Sequence, residues 1–233
     1  MNDVNYSANL TDDQIYNSYF ENLNLVYLPN LDYSKFPSSI KMPKTVEFAD
    51  VIDLRNIKSN NYATSLFYNC NKLRQVNTMY VDGVDCNSMF YGCSSLKSVN
   101  VVGKPKGVIK MFSGCTKLTE LPELDLSDVS SIMNMFGNWI GLTGLVKVSY
   151  NLDKCTNIEE AFSGCTGAEE FDLSELYIPE ATSATYFFSG CNKLRAITFP
   201  NQSKLYTLNY LFNYCTSLKT VDVSQIPITP DIE

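Results

Sequence analysis

Eight cysteines are the residues most able to do chemistry in this chain, as nucleophiles, redox partners or metal ligands. Zinc would require a CxxC-type cluster with a second pair or histidines. No two cysteines lie closer than seven residues, and the sequence of 233 residues contains no histidine. The missing imidazole also removes the usual general base at neutral pH. Carboxylate pairs remain at Glu159-Glu160 and Glu169-Glu170, but adjacent residues on a helix or strand diverge instead of meeting in one pocket. The expectation is a protein that is not an enzyme, with no catalytic residue, no metal and no cofactor. A net charge of -7 without any basic run argues against nucleic acid as a partner.

The cysteines become intelligible once their spacing is compared with that of phenylalanine. Phe67, Phe90, Phe112, Phe136, Phe162, Phe188 and Phe212 follow one another at intervals of 23, 22, 24, 26, 26 and 24 residues. Six cysteines (Cys70, Cys93, Cys115, Cys165, Cys191 and Cys215) each stand three residues after one of these rings. Cys86 takes the place of Ile132, Ile158 and Leu208 in other units, and Cys155 that of Val129 and Leu205. An oxidising compartment would permit disulfides between units. A ladder of reduced, buried thiols accounts for all eight, because a buried thiol behaves as a small apolar group.

Each unit joins two periodicities. Cys86, Met89, Phe90 and Cys93, like Leu208, Leu211, Phe212 and Cys215, have the spacing of one helical face. After Leu218 the pattern alternates, with Val221 and Val223 on one side and Asp222 on the other, as in a strand. One unit therefore predicts a short helix, a tight turn through residues such as Ser113-Gly114, and a short strand. A single unit cannot hide its Phe, Leu and Val, whereas stacking covers each with the next, at roughly 1.5–3 kcal/mol per buried apolar side chain. Parallel strands joined by such crossovers wind right-handed. The series is expected to begin at Ile52-Asp53-Leu54, 24 residues before Val76-Asn77-Thr78. Irregularity is expected in the middle, where Leu121-Pro122-Glu123-Leu124 adds residues and Trp139 stands in place of a cysteine.

The units Met89-Phe90-Tyr91-Gly92-Cys93 with Leu96, Met111-Phe112-Ser113-Gly114-Cys115 with Leu118, and Ala161-Phe162-Ser163-Gly164-Cys165 resemble BspA-type leucine-rich repeats. Leu124-Asp125-Leu126-Ser127 followed by Met133-Asn134-Met135-Phe136 is similar to the Met-Phe variant in bacterial surface proteins. The resemblance spans about residues 46–226. It implies an α/β leucine-rich-repeat solenoid, with parallel strands on the concave face, helices on the convex face, and adhesion or protein binding as its role.

Residues 1–45 lack the repeat. Thr11-Asp12-Asp13-Gln14 has the form of a capping box ahead of a helix over about 12–23, lined by Ile15, Tyr19, Phe20 and Leu23. An extended piece, Leu25-Val26-Tyr27-Leu28, follows. This segment reads as a cap for the first coil or as an anchor arm. Residues 227–233 form a tail in which Pro227 and Pro230 blunt the last strand edge. The first residues show no basic stretch followed by an apolar one, so no secretory signal is read. No apolar run approaches the roughly 18 residues of a bilayer span, so no membrane insertion is expected. Location stays open between the cytoplasm and a particle or cell-surface structure.

The candidate ligand surface is the outward side of the strands. One column reads Asp53, Asn77, Asn100, Asp172, Thr198 and Asp222, and its neighbour Gln75, Ser98, Glu120, Glu170 and Thr220. A curved array of strands offers these side chains together to a protein partner or cell-surface ligand. A second candidate is the opposite edge, where Tyr68, Tyr91, Tyr186 and Tyr214 lie in or beside the turns. The alternative function is a structural subunit of a virion, tail or surface assembly, partnered by copies of itself or by other subunits.

Overall fold

The structure, a computed structural model, describes residues 26–28, 30, 32–35, 41–57, 63–201, 204–224 and 226. The expected helix over 12–23 and the tail 227–233 lie outside the described residues. Among the described residues seven short strands follow in chain order: β1 (Tyr27–Leu28), β2 (Phe48–Asp53), β3 (Gln75–Tyr80), β4 (Ser98–Val102), β5 (Gly144–Lys147), β6 (Ala168–Asp172) and β7 (Ala196–Thr198). All pairings are parallel and sequential, β1-β2-β3-β4 in one sheet and β5-β6-β7 in another. Each strand is therefore one turn of a solenoid, laid beside the strand of the next.

Side chains that face inward along the strands, such as Ala49 and Ile52 in β2 or Val76 and Met79 in β3, are buried. β1 pairs with β2 through Tyr27 opposite Phe48, which places a strand one coil before the start expected at Ile52. The sheet breaks where Leu121-Pro122-Glu123-Leu124 adds residues: no strand forms between β4 and β5. Tyr150 spans the irregular coil, its hydroxyl donating to the Pro122 carbonyl at 2.7 Å. Val221–Val223, expected as a strand, pairs with no strand among the described residues.

The short convex helices are not found. Among the described residues the only helical piece is a 3-10 turn over Tyr33–Lys35. The Phe-centred segments are instead runs of tight turns. In the coil of Phe90, the N–H groups of Met89, Tyr91 and Cys93 donate backwards to Cys86, Ser88 and Phe90 carbonyls at 3.0–3.1 Å. The alternate N–H groups of Ser88, Phe90 and Gly92 donate sideways to Ile109, Met111 and Ser113 of the next coil at 2.8–2.9 Å. An α-helix directs every N–H along its own axis, so this alternation excludes one. The chain achieves it by left-handed residues two before and two after each ring, as at Ser88 (φ 54°) and Gly92 (φ 70°).

Spacing gives the physical reason. Adjacent strands sit about 4.8 Å apart, whereas helices pack at about 8–10 Å, so a helix in every coil would splay the stack. Turn runs that bond to each other keep step with the strands. The stacked rings advance by similar amounts: Phe67, Phe90, Phe112, Phe136, Phe162, Phe188 and Phe212 follow at 5.4, 5.5, 6.2, 5.1, 6.2 and 6.1 Å, nearly parallel throughout. The turn side of the coil thus advances by a step close to the spacing of adjacent strands. The helical spacing of Cys86, Met89, Phe90 and Cys93 was a true guide to burial, since all four are fully enclosed.

Candidate protein-interaction surface

The eight cysteines hold most of the chemical potential of the chain. All eight are free and buried. The ladder thiols donate to the carbonyl of the preceding coil's phenylalanine: Cys93 to Phe67 (3.0 Å), Cys115 to Phe90 (3.1 Å), Cys191 to Phe162 (3.2 Å) and Cys215 to Phe188 (3.1 Å). Their S–H groups therefore add weak directional bonds to apolar packing. Burial pushes the thiol pKa up, to about 11 at Cys70 and about 12 at Cys215, the opposite of an activated thiolate. Where Trp139 replaces the ladder cysteine, its indole N–H donates to the Leu118 carbonyl, and the ring packs beside Phe112 and Phe136.

The carboxylate pairs diverge. Glu159 accepts from the Ser183 hydroxyl at 3.0 Å, while Glu160 accepts from the Asn134 amide at 2.9 Å. Glu169 pairs with Arg195, and Glu170 is exposed on the strand side. Among the described residues no cluster of three or more His, Cys, Asp or Glu could hold a metal ion. An interior apolar gap near Ile158, Phe187 and Leu211 measures only about 10 Å³, barely the space of one water. An open cleft of about 290 Å³ lies between Ser174–Tyr177 and Pro200–Asn201.

The candidate strand residues fall into separate places. Gln75 and Ser98 are direct neighbours across β3 and β4. Asn77 and Asn100 lie at the irregularity between Val76 and Met79, where the register shifts. Asp172 and Thr198 pair across β6 and β7, with Glu170 opposite Ala196. Asp53 does not share the row of Asn77: it stands opposite Tyr80, because β2 and β3 align Ala49 with Val76. Asp53, Asp172 and Asp222 instead share a turn role, each accepting the N–H two residues on, at Arg55, Ser174 and Ser224. The side-chain bond from Arg55 lowers the pKa of Asp53, and those from Ser174 that of Asp172. Glu120 lies where the sheet breaks, and Thr220 and Asp222 follow the last strand.

One cluster on this surface escaped the sequence. Tyr27, Phe48, Gln75 and Ser98 form a single row across β1–β4, with Tyr27 47% and Phe48 38% exposed. Asp50 ties the row to its neighbour. It accepts from the Asn77 amide at 2.8 Å, and Asn77 in turn accepts from Gln75 at 2.6 Å. Burial, followed by the Asp50 charge and hydrogen bond, raises the Tyr27 pKa. The missed signal was Phe48-Ala49, which lies 27 residues before Gln75-Val76 instead of at the expected offset of 24. On the turn side, Tyr68 stacks on Tyr91 at 4.9 Å and Tyr186 on Tyr210 at 4.8 Å.

Among the described residues no helix is long and apolar enough to cross a membrane. No curated protein matches the chain in sequence. Two crystal structures are similar to it. A leucine-rich repeat protein of T. pallidum is 17% identical, with 84% of this chain and 79% of that one covered at a TM-score of 0.42. A leucine-rich repeat protein from Bacteroides ovatus is 20% identical, with 78% and 51% covered at a TM-score of 0.40. The family model for the BspA type leucine-rich repeat region matches residues 13–139 and 145–229 in six copies. With parallel strands, stacked Phe-centred turns and a thiol ladder repeating among the described residues of that stretch, this chain belongs to the BspA-type leucine-rich repeat family.

Proposed function

We propose that the chain is a non-enzymatic module that binds a protein partner or cell-surface ligand through the outward side of its strands. The family's general use in protein interaction supports this reading. The observation that carries it is the row Tyr27, Phe48, Gln75 and Ser98. Two exposed aromatic rings continue there into a polar, hydrogen-bonded set, the composition found at interface centres. Asn77 and Asn100 border that row, and Glu170, Asp172 and Thr198 extend the surface on the second sheet. Asp53, which lies outside the row of Asn77, contributes less, as do Glu120, Thr220 and Asp222 beyond the regular strands. Residues 1–45 serve as a cap or anchor for the solenoid of residues 46–226, and residues 227–233 are its tail.

The test is a purified partner, captured from the native source and titrated against variants by calorimetry. Gln75→Arg and Ser98→Arg point into solvent, so they should leave the thermal midpoint unchanged while weakening binding at least about tenfold, or 1.4 kcal/mol. Lys117→Glu on the turn side should bind like the unaltered protein. Affinity equal to that of the unaltered protein in both Gln75→Arg and Ser98→Arg would dismiss the strand surface.

A further inference from the structure

We propose that the last coil carries a second binding site, which takes a polypeptide segment folded into the same run of tight turns, by backbone addition onto the N–H groups of Tyr210, Phe212 and Tyr214. Every earlier coil uses the three equivalent groups in the same way. Glu160, Phe162 and Gly164 donate to Thr185, Phe187 and Ser189, and Tyr186, Phe188 and Gly190 donate to Asn209, Leu211 and Asn213. In the last coil no carbonyl of the described residues receives these donors. Three aligned donors at alternate residues are complementary to a chain that presents carbonyls at the same spacing.

The side chains there differ from those of the other coils. Tyr214 is 74% and Tyr210 59% exposed. Both occupy left-handed backbone, at φ 59° and 56°. At the position of Tyr214 the other coils carry Gly or Asn, which adopt this conformation at little cost. At Tyr214 alone of the positions two after the ring, strained backbone holds an exposed aromatic side chain, and strain of this kind clusters at ligand-binding sites. Phe212 offers its ring only partly covered, stacked on Phe188 by one side.

The geometry also selects the occupant. A second copy docked end to end through the same surface would set donors against donors, so a symmetric dimer is disfavoured. In the chain's own coils the accepting carbonyls flank a phenylalanine, as Phe187 and Ser189 flank Phe188. The fitting partner is therefore a protein segment with an aromatic residue between two accepting carbonyls. This site is separate from the strand surface, and its test does not depend on that reading.

Amide hydrogen exchange on the full chain decides it, with a synthetic peptide of residues 205–218 of this sequence as probe and its scrambled version as control. The amides of Tyr210, Phe212 and Tyr214 should exchange at least about 100-fold faster than those of Tyr186, Phe188 and Gly190. Saturating peptide should slow them about tenfold or more, and the scrambled peptide should not. Tyr210→Ser with Tyr214→Gly should weaken the peptide about tenfold without lowering the thermal midpoint. The proposal is overturned if the three amides are already as protected as their counterparts in the free chain. It is equally overturned if the peptide, at about 1 mM, leaves them unprotected.

Discussion

Two backbone positions in each coil decide the geometry at the residue scale: the residues two before and two after the phenylalanine, both left-handed. The second carries Gly or Asn in six coils and can be read in the sequence as a breaker that recurs with the ring. The first carries Ser65, Ser88, Lys110, Asn134, Glu160, Tyr186 and Tyr210. No composition signal marks it, which is why the segment looked helical. The two positions make opposite predictions. A Cβ at Gly92 would lie 2.2 Å from the Asn69 side-chain oxygen, on a backbone of φ +70°, so Gly92→Ala should cost about 1–2 kcal/mol. Lys110 has φ 57° and a partly exposed side chain. Lys110→Gly should relieve about 1 kcal/mol of strain and lose part of it to the freer unfolded chain, for a net gain of about 0.5 kcal/mol. Urea denaturation of both variants measures the difference, and a loss of stability at Lys110→Gly would contradict the assignment of strain.

The coil itself sets the rules at the scale of the element. Burial was legible because Phe, Cys and Leu recur at fixed offsets, so the core was correct even where the backbone was not. Register was less legible. The in-out-in pattern of Ile52-Asp53-Leu54 matches Val76-Asn77-Thr78 equally well at an offset of 24, yet the strands pair Ala49 with Val76. One alternating strand looks like another when shifted by a few residues, and this displaced Asp53 from its assigned column and hid Tyr27 and Phe48. The irregular middle was visible, as inserted residues and a tryptophan, and its consequence is specific. The strand ladder breaks there, while the turn ladder runs through it without interruption, Phe112 donating to Met135 and Gly114 to Gly137 at 2.9 and 2.8 Å. Trp139 is fully buried across this junction and bonded to the Leu118 carbonyl. Trp139→Ala should therefore cost about 3–5 kcal/mol, and Trp139→Phe, which loses the indole bond and some volume, about 1–2 kcal/mol. Trp139 is the only tryptophan, so its emission reports this coil alone. Its unfolding transition should coincide with that of far-ultraviolet circular dichroism, and separated midpoints would mean that the two sheets unfold independently.

Across the whole molecule the thiol ladder makes stability depend on pH in one direction. Burial raises the pKa of Cys70, Cys86, Cys93, Cys115, Cys155, Cys165 and Cys215 above the ordinary thiol value of 9.0. A raised folded pKa means that the native state holds its proton after the unfolded chain has released it. The contribution is complete below pH 9 and is lost as pH climbs through the folded values, about 11 for Cys70 and about 12 for Cys215. Each thiol changes stability by up to about 1.4 kcal/mol per pH unit in that interval. All seven act in the same direction, so their losses accumulate as pH rises. The carboxylates that hold turns are exposed and give only a small loss at low pH, so acid and alkaline behaviour should be unequal. With a reductant present, the urea midpoint should stay level from about pH 6 to 8 and collapse reversibly between about pH 9 and 11. Replacing Cys86 and Cys155, which lie off the main ladder, with Ala should reduce the steepness of that fall even as it lowers the plateau. A midpoint that held steady to pH 11 would mean that the thiols are not enclosed as protonated groups, and the dry thiol ladder would have to be abandoned.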